Sequence, residues 1–276
     1  MTTDRRVRAA QAASASGRID TAAHNVFITG ASSGIGAALA RHYAARGASV
    51  GLFARRAEAL TGLANQLPAE RCATYAGDVR DSTVLDRAAR EFITRFGAPT
   101  VVIANAGVSL GALTGHAEDL PVFRAVIETN VIGIVNTFAP FVEVMQAAGR
   151  GTLAGIASVA GFRGLAGSGA YSASKAAAIT YLESLRLELR DSGIAVVTIC
   201  PGYIATPMTA TNPYRMPFLL DPDKAARLIA RAIERRKRFY VLPWQMAIVG
   251  FVLRRLPRPI YDALFAHAPR RTRHKS

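Results

Sequence analysis

The residues best suited to chemistry are a tyrosine and a lysine four positions apart, Tyr171 and Lys175, in a helical stretch that follows a glycine-rich loop. On a helix, residues four apart share one face. A tyrosine has an unperturbed pKa of about 10 and is a poor base at neutral pH, but a neighbouring ammonium favours the phenolate. The pair therefore predicts general acid–base catalysis. Because Tyr-x-x-x-Lys occurs by chance in many proteins, the surrounding sequence must support this interpretation.

Two further polar residues stand where a site could use them. Ser158 follows a predicted strand from Gly151 to Ala157, thirteen residues before the tyrosine. Asn130 lies in an apolar helical pattern that runs from Leu120 to Ala148. An unpaired buried amide costs roughly 1–3 kcal/mol. Asn130 must therefore have partners, either in a structural role or in the site.

A glycine-rich turn provides a place for a phosphate. The stretch from Val26 to Gly36 reads VFITGASSGIG, a short apolar strand, a turn with three glycines and the start of a helix. Backbone N–H groups and the helix dipole make such a helix start an anion site. Glycines allow the backbone to approach a pyrophosphate closely. The turn predicts dinucleotide binding.

The end of the second predicted strand, Ala48 to Phe53, indicates which dinucleotide binds. In dinucleotide folds an acid near this point binds the ribose 2′-hydroxyl, whereas an arginine accommodates a 2′-phosphate. The sequence has no acid from Ala48 to Ala57 and carries Arg55 and Arg56 instead. This favours NADP(H), with Ser32 and Arg56 as helpers of Arg55. The alternative is that the two arginines only begin a solvated helix.

Strand-like and helical patterns alternate over residues 25–200. Such alternation predicts an α/β fold with one doubly wound parallel sheet of about seven strands and helices on both faces. Ligands of these sheets bind at the carboxyl ends of the strands. Ser158, Asn105 and Pro201 all fall at predicted strand ends, so we expect one site there.

Taken together, these motifs resemble the short-chain dehydrogenase/reductase family over residues 25 to about 230. The motifs are TGxxxGxG, Asn105-Ala106-Gly107, Ser158, Tyr171-x-x-x-Lys175 and Pro201-Gly202. The family more often has a second asparagine where Ala104 stands. The resemblance implies a Rossmann-type catalytic domain over residues 25–242. A flexible N-terminal extension, 1–24, and a basic, apolar C-terminal extension, 243–276, would flank it.

The resemblance also implies the roles of individual residues in an NADP(H)-dependent oxidoreductase that interconverts a carbonyl and an alcohol. Ser158 would bind the substrate oxygen, Tyr171 would give or take the proton, Lys175 would hold the cofactor ribose and lower the tyrosine pKa, and Asn130 would complete a proton relay from a distorted helix. No metal is required. The implied cofactor-binding residues are Gly30, Ser32, Ser33, Gly34, Ile35, Gly36, Arg55, Asp78, Val79, Asn105, Ala106, Gly107, Tyr171, Lys175, Pro201, Gly202, Ile204 and Thr206.

Two alternatives stay open within this resemblance. Asp78 and Val79 would line the adenine pocket, but Asp78 is also suited to cap the next helix. The whole chain could also be a catalytically silent, cofactor-binding structural or regulatory protein. Loss of a catalytic residue would favour that interpretation, and all four are present in the sequence.

Composition excludes several other classes of protein. The net charge of +15 is concentrated at the C-terminus, where residues 231–276 hold twelve Lys/Arg against two acidic residues. A near-neutral body with a basic tail argues against nucleic-acid binding. Cys72 and Cys200 form no disulfide framework, and the five histidines lack metal-ligand spacing. Residues 1–23 lack the apolar core of a secretory signal, so we expect a cytoplasmic protein.

The substrate and the partners are less constrained by the sequence. We expect the substrate pocket to be bordered by residues 162–167 and by an apolar lid, residues 203–220, which contains Met208, Tyr214, Met216, Phe218, Leu219 and Leu220. Such a lid suits a lipophilic ketone or aldehyde, unless these residues pack on the body or on another subunit. We also expect a homo-oligomer, which is common in the family.

The apolar, arginine-bracketed segment 239–265 predicts peripheral contact with the inner face of the membrane. A subunit contact or a lid arm over the pocket remains the competing interpretation. A membrane span needs about 20 residues, and residues 239–253 provide only fifteen uncharged positions.

Overall fold

A computed structural model describes residues 24–210, 212 and 215–266. Seven parallel strands form one sheet in the order β3-β2-β1-β4-β5-β6-β7. This confirms the predicted doubly wound α/β fold. The strands are β1 (Asn25–Thr29), β2 (Ser49–Ala54), β3 (Cys72–Ala76), β4 (Val101–Ala104), β5 (Gly151–Ile156), β6 (Ile194–Pro201) and β7 (Phe239–Leu242). Residues 1–23 of the predicted N-terminal extension and Tyr214 of the predicted lid lie outside the described residues.

Helices cover both faces of this sheet. They are α1 (Gly34–Ala44), α2 (Ala57–Ala64), α3 (Ser82–Phe96), α4 (Leu120–Ile127), α5 (Gly133–Ala147), α6 (Gly169–Glu188), α7 (Pro207–Ala210), α8 (Pro222–Glu234), α9 (Trp244–Arg255) and α10 (Arg258–Phe265). Helices α1 and α8 contribute to the hydrophobic core on one face. Helices α3, α5 and α6 contribute to the core on the other face. Because helices cover both faces of the sheet, the ends of the strands are the place for a site.

The strands bury both of their faces because successive side chains point to opposite sides of a sheet. In β1, Val26 and Ile28 enter the first core, whereas Phe27 enters the second. The Phe27 ring centroid lies 5.5 Å from that of Phe92 and 4.8 Å from that of Phe141. These rings fix α3 and α5 against the centre of the sheet.

The predicted helix from Leu120 to Ala148 is not continuous. A π-helical turn, Glu128–Ile132, separates α4 from α5 and contains Asn130. π-helical turns are rare and often occur at functional sites. Within the part of the chain that the structure describes, one helical run, Ala117–Ala147, is long and apolar enough to cross a membrane. Its most apolar window is 44% buried, and its residues Phe138 and Phe141 belong to the core.

Candidate active site

The glycine turn after β1 is closely packed against the loop after β4. Gly30 has φ +66°, and a Cβ there would lie 2.8 Å from the Cα of Ala106. A Cβ on Gly36 would overlap the carbonyl oxygen of Gly30. Both positions therefore require glycine, one for backbone conformation and contact, the other for contact alone. The first N–H groups of α1, which follow directly after this turn, have no partner within the helix.

Asn105 joins the carboxyl ends of β1 and β4. Its side-chain amide donates to the carbonyl oxygens of Thr29, at 3.0 Å, and Gly30, at 3.2 Å. Its main-chain N–H donates to the hydroxyl of Thr29 at 3.2 Å. These bonds hold the end of β1 against the end of β4. The part played by the Thr29 hydroxyl is not evident from the motif.

The end of β2 presents cations to the cleft. Arg55 and Arg56 line it together with Ser32, and the Arg56 guanidinium donates to the Ser32 hydroxyl at 3.2 Å. The side chain of Arg55 lies on the exposed surface of the cleft wall. A 2′-phosphate placed here would meet positive charge on a strand end that carries no acid of its own.

Asp78 lines the same cleft and pairs with Arg80. The Arg80 guanidinium donates to the Asp78 carboxylate at 2.7 Å, and this hydrogen bond lowers the pKa of Asp78. The cap of α3 is instead Asp81, whose carboxylate accepts from the N–H groups of Thr83 and Val84. The alternative that Asp78 caps the next helix is therefore wrong, because the helix begins one turn later.

Lys175 and Tyr171 lie one turn apart on α6, at the cleft end of the helix. The Lys175 side chain is 4% exposed, and its ammonium donates to the carbonyl oxygen of Ile156 at 2.8 Å. The Lys175 Nζ lies 5.8 Å from the centroid of the Tyr171 ring. Burial lowers the pKa of Lys175 to about 8. The fold therefore holds a poorly solvated ammonium beside the phenol.

Ser158 stands at the end of β5 and connects it to β6. Its hydroxyl donates to the carbonyl oxygen of Pro201 at 3.4 Å and accepts from the N–H of Ala160 at 3.1 Å. The residue is 8% exposed and lines the cleft. Its hydroxyl is thus held in position from two sides at the surface of the cleft.

Asn130 is fully buried behind these residues. Its side-chain oxygen accepts from the N–H of Val108 at 2.8 Å, and its amide donates to the Val108 carbonyl and the Ser174 hydroxyl, both at 2.9 Å. Ser174 in turn donates to the Tyr171 carbonyl at 2.7 Å. The asparagine therefore connects the π-helical turn, the loop after β4 and the first turns of α6.

One cleft of about 440 Å³ brings the predicted site residues together. All of them line it except Gly36, which lies under the turn, and Asn130, which lies behind the wall. Residues that sequence reasoning missed also line it: Gly77, Val108, Thr129, Ile156, Ala157, Pro207 and Thr209. They share no motif and lie beside predicted residues at strand ends and loops.

The predicted border from Phe162 to Gly167 does not line this cleft. The Phe162 ring instead stacks on Phe239, with centroids 6.1 Å apart, and contacts Gly250 of α9. The loop packs on the C-terminal helices because they provide an apolar surface and carbonyl oxygens that accept hydrogen bonds.

Comparison with known proteins agrees with this geometry. A family model described as short chain dehydrogenase matches residues 24–215. This chain belongs to the short-chain dehydrogenase family. An uncharacterized oxidoreductase of Myxococcus xanthus is 39% identical to this short-chain dehydrogenase over 241 residues, which are 86% of the chain and 94% of the relative.

Solved structures extend the comparison. The crystal structure of a short-chain dehydrogenase from Streptomyces avermitilis superposes with a TM-score of 0.75 at 28% identity, covering 89% of this chain and 95% of the other. Actinorhodin polyketide ketoreductase with NADPH superposes with a TM-score of 0.72 at 26% identity, covering 80% and 96%. This short-chain dehydrogenase is accordingly an oxidoreductase of carbonyl and alcohol groups with a nucleotide-binding Rossmann-type fold.

Proposed function

We propose that this short-chain dehydrogenase uses NADP(H) and reduces a lipophilic ketone or aldehyde to an alcohol. The observation that carries the proposal is one continuous cleft with arginines at one end and Tyr171 beside a buried Lys175 at the other. A catalytically silent binding protein is the alternative. Such a protein could use Lys175 to hold the cofactor ribose, but it would not need Ser158 and Tyr171 in the same cleft.

The described residues fit a nicotinamide dinucleotide. A Cβ at Gly30 or Gly36 would close the cradle between the glycine turn and the loop after β4. The N–H groups at the start of α1 suit the pyrophosphate. Arg55 suits the 2′-phosphate, with Arg56 held on Ser32 beside it. The cofactor-bound relative, actinorhodin polyketide ketoreductase, carries NADPH.

The proposed mechanism assigns proton transfer to this chain's own side chains. When bound, the nicotinamide supplies the hydride that the carbonyl carbon receives. When substrate binds, the Ser158 hydroxyl turns its single proton from the Pro201 carbonyl, 3.4 Å away, to the substrate oxygen. The Tyr171 hydroxyl gives that oxygen its proton. Because burial leaves Lys175 with a pKa of about 8, the side chain is largely an ammonium at pH 7 and favours the resulting phenolate.

Asn130 acts from behind this pair. Its amide holds Ser174 and Val108, so it fixes the turn of α6 that carries Tyr171. In the proposal the π-helical turn around Asn130 offers the path by which a proton returns to the tyrosine from solvent. Ile204 and Thr206, both in the cleft wall, orient the nicotinamide ring.

Apolar side chains near the cleft support a lipophilic substrate. Met208, which lines the cleft, is 39% exposed, and Phe218 and Leu219 in the same predicted lid are 48% and 46% exposed. We further propose a cytoplasmic homo-oligomer that associates through α4 and the π-helical turn. Leu120, Phe123 and Ile132 are exposed apolar side chains on that surface.

Turnover by one matched pair of variants tests the proposed reaction. With a panel of ketones and aldehydes, Tyr171→Phe should lower the rate of NADPH consumption by about 10²–10⁴-fold and leave NADPH binding intact. Tyr181→Phe, on the same helix but outside the cleft, should change neither. Retained turnover in Tyr171→Phe would contradict the mechanism.

The cofactor choice is tested separately. Arg55→Ala should weaken NADPH binding by about tenfold, because a charge-assisted hydrogen bond is lost, and should leave NADH binding nearly unchanged. Arg190→Ala removes an exposed arginine outside the cleft and should affect neither cofactor. Equal losses for both cofactors in Arg55→Ala would show that Arg55 does not select NADPH.

A further inference from the structure

The last two helices, α9 and α10, pack on the body with one side and expose apolar side chains on the other. On α9, Met246 and Gly250 are buried on one side, while Trp244, Ile248, Phe251 and Val252 follow one another at helical spacing on the other. On α10, Tyr261 is buried and Ile260 and Leu264 are exposed. The exposed side chains, Trp244, Ile248, Phe251, Val252, Ile260 and Leu264, are 50–68% exposed and are called the outer face below.

The inner side of the helix pair is firmly attached to the catalytic body. The Arg163 guanidinium donates to the carbonyl oxygens of Leu253, at 3.2 Å, and Leu256, at 3.0 Å, at the end of α9. The Tyr261 hydroxyl donates to the Gly164 carbonyl at 2.6 Å. The outer face is therefore exposed because the other side of each helix is already occupied, not because the helices are detached.

Cations lie beside the outer face, in space at Arg255 and otherwise along the sequence. The Arg255 guanidinium lies 3.6 Å from the centroid of the Phe251 ring, at the end of the apolar face of α9. From position 235 to 266 the sequence has seven Lys/Arg and a single acidic residue, Asp262, and four more Lys/Arg follow between 270 and 275. An apolar helix face with a tryptophan and flanking cations has the chemistry of an interfacial helix, whose cations meet anionic headgroups.

Contact with a second copy fits this surface poorly. A two-fold contact pairs a patch with itself, so it would bring Arg255 and Arg258 of two copies together with only Asp262 to offset them. A membrane span fits no better. Helix α9 has 12 residues, about 18 Å at 1.5 Å per residue, whereas a hydrocarbon core is about 30 Å thick.

We propose that the outer face of α9 and α10 docks this enzyme peripherally on an anionic lipid surface. Trp244, Ile248 and Phe251 enter the headgroup boundary, and the arginines near them in the chain contact lipid phosphates. The docking element touches the wall of the cleft, because a Cβ on Gly202, which lines the cleft, would lie 2.7 Å from Met246 Cγ of α9. Docking would thus hold the cleft close to the membrane surface.

Trp244 reports on this docking without a label, because it is the only tryptophan in the chain. The full chain is titrated with vesicles of phosphatidylcholine containing one-third phosphatidylglycerol, and with pure phosphatidylcholine vesicles, at low and high salt. We expect the Trp244 emission to shift to shorter wavelength with the anionic vesicles, less with the neutral ones and less at high salt. Co-sedimentation gives the partition coefficient.

Variants at exposed positions identify the surface. Ile248→Ser with Phe251→Ser should lower the partition coefficient by about tenfold or more, because two apolar side chains no longer leave water. Leu187→Ser removes an apolar side chain of similar exposure, 64%, on α6 and should leave it unchanged. Arg255→Gln with Arg258→Gln should weaken binding to anionic vesicles, whereas Arg87→Gln with Arg90→Gln on α3 should not.

Two results would overturn the proposal. One is wild-type protein that stays in the supernatant with anionic vesicles at low salt. The other is a binding loss in Leu187→Ser equal to that in the double serine variant. If light scattering shows a larger assembly that the double serine variant dissociates, and no vesicle binding occurs, the outer face is a contact between copies. The partition measurement needs no substrate, so its result is independent of the proposed reaction.

Discussion

Replacement of Lys175 by methionine measures the free energy by which a buried ammonium destabilises the fold. Burial lowers the pKa of Lys175 from 10.5 to about 8. Each pKa unit corresponds to about 1.36 kcal/mol, so the native state is destabilised by about 3 kcal/mol at neutral pH. As the pH rises from 8 to 10.5, the native state has lost this proton and the unfolded chain still binds it, so the free energy of unfolding increases. From pH 7 to pH 9.5 the increase from this group is about 2 kcal/mol.

Urea unfolding of the nucleotide-free protein at the two pH values gives this quantity. Wild-type protein should gain about 2 kcal/mol more than Lys175→Met between pH 7 and pH 9.5, because every other titrating group is common to both chains. Lys224→Met removes an exposed lysine from α8 and should keep the wild-type pH dependence. If Lys175→Met and wild type show the same change with pH, the ammonium is not destabilised by burial, and the reasoning fails.

Three further variants test single contacts of the site. Asn130→Ala should lower the free energy of unfolding by about 3 kcal/mol, because it leaves buried partners unpaired. Asn136→Ala, which loses two contacts nearer the surface, should cost about 1 kcal/mol in the same urea assay. Gly36→Ala should weaken NADPH binding measured by fluorescence titration, because its Cβ would overlap the turn, and Gly62→Ala, in open space on α2, should not. Arg163→Met should speed tryptic cleavage within α9, monitored by mass spectrometry, because it frees the end of the helix; an unchanged cleavage rate would show that this arginine does not hold the helix.

Side-chain patterns predicted the sheet because its strands are short apolar runs that end in glycine or polar residues. They did not predict the π-helical turn at Glu128–Ile132, because the sequence around it is apolar on most sides and hides a shift in helical phase. A distorted helix at Asn130 was implied by the family resemblance alone. They also could not find the carbonyl of Ile156 that binds Lys175, because a main-chain acceptor leaves no mark in the sequence. The loop at Phe162 packs on α9 and β7 instead of bordering the cleft, and contacts between residues so far apart in the chain leave no pattern in the sequence.

The C-terminal part of the chain completes the site although the matched family region ends at residue 215. The Ser158 hydroxyl is bonded to the carbonyl of Pro201, and the N–H of Gly202 is bonded to the carbonyl of Leu242 at 2.7 Å. Hydrogen bonds therefore connect the ends of β5, β6 and β7 one after another. They run from the proposed substrate-binding serine to the strand that leads into α9. The strand β7 and the helices after it thus belong to the structural unit that sets the geometry of the cleft.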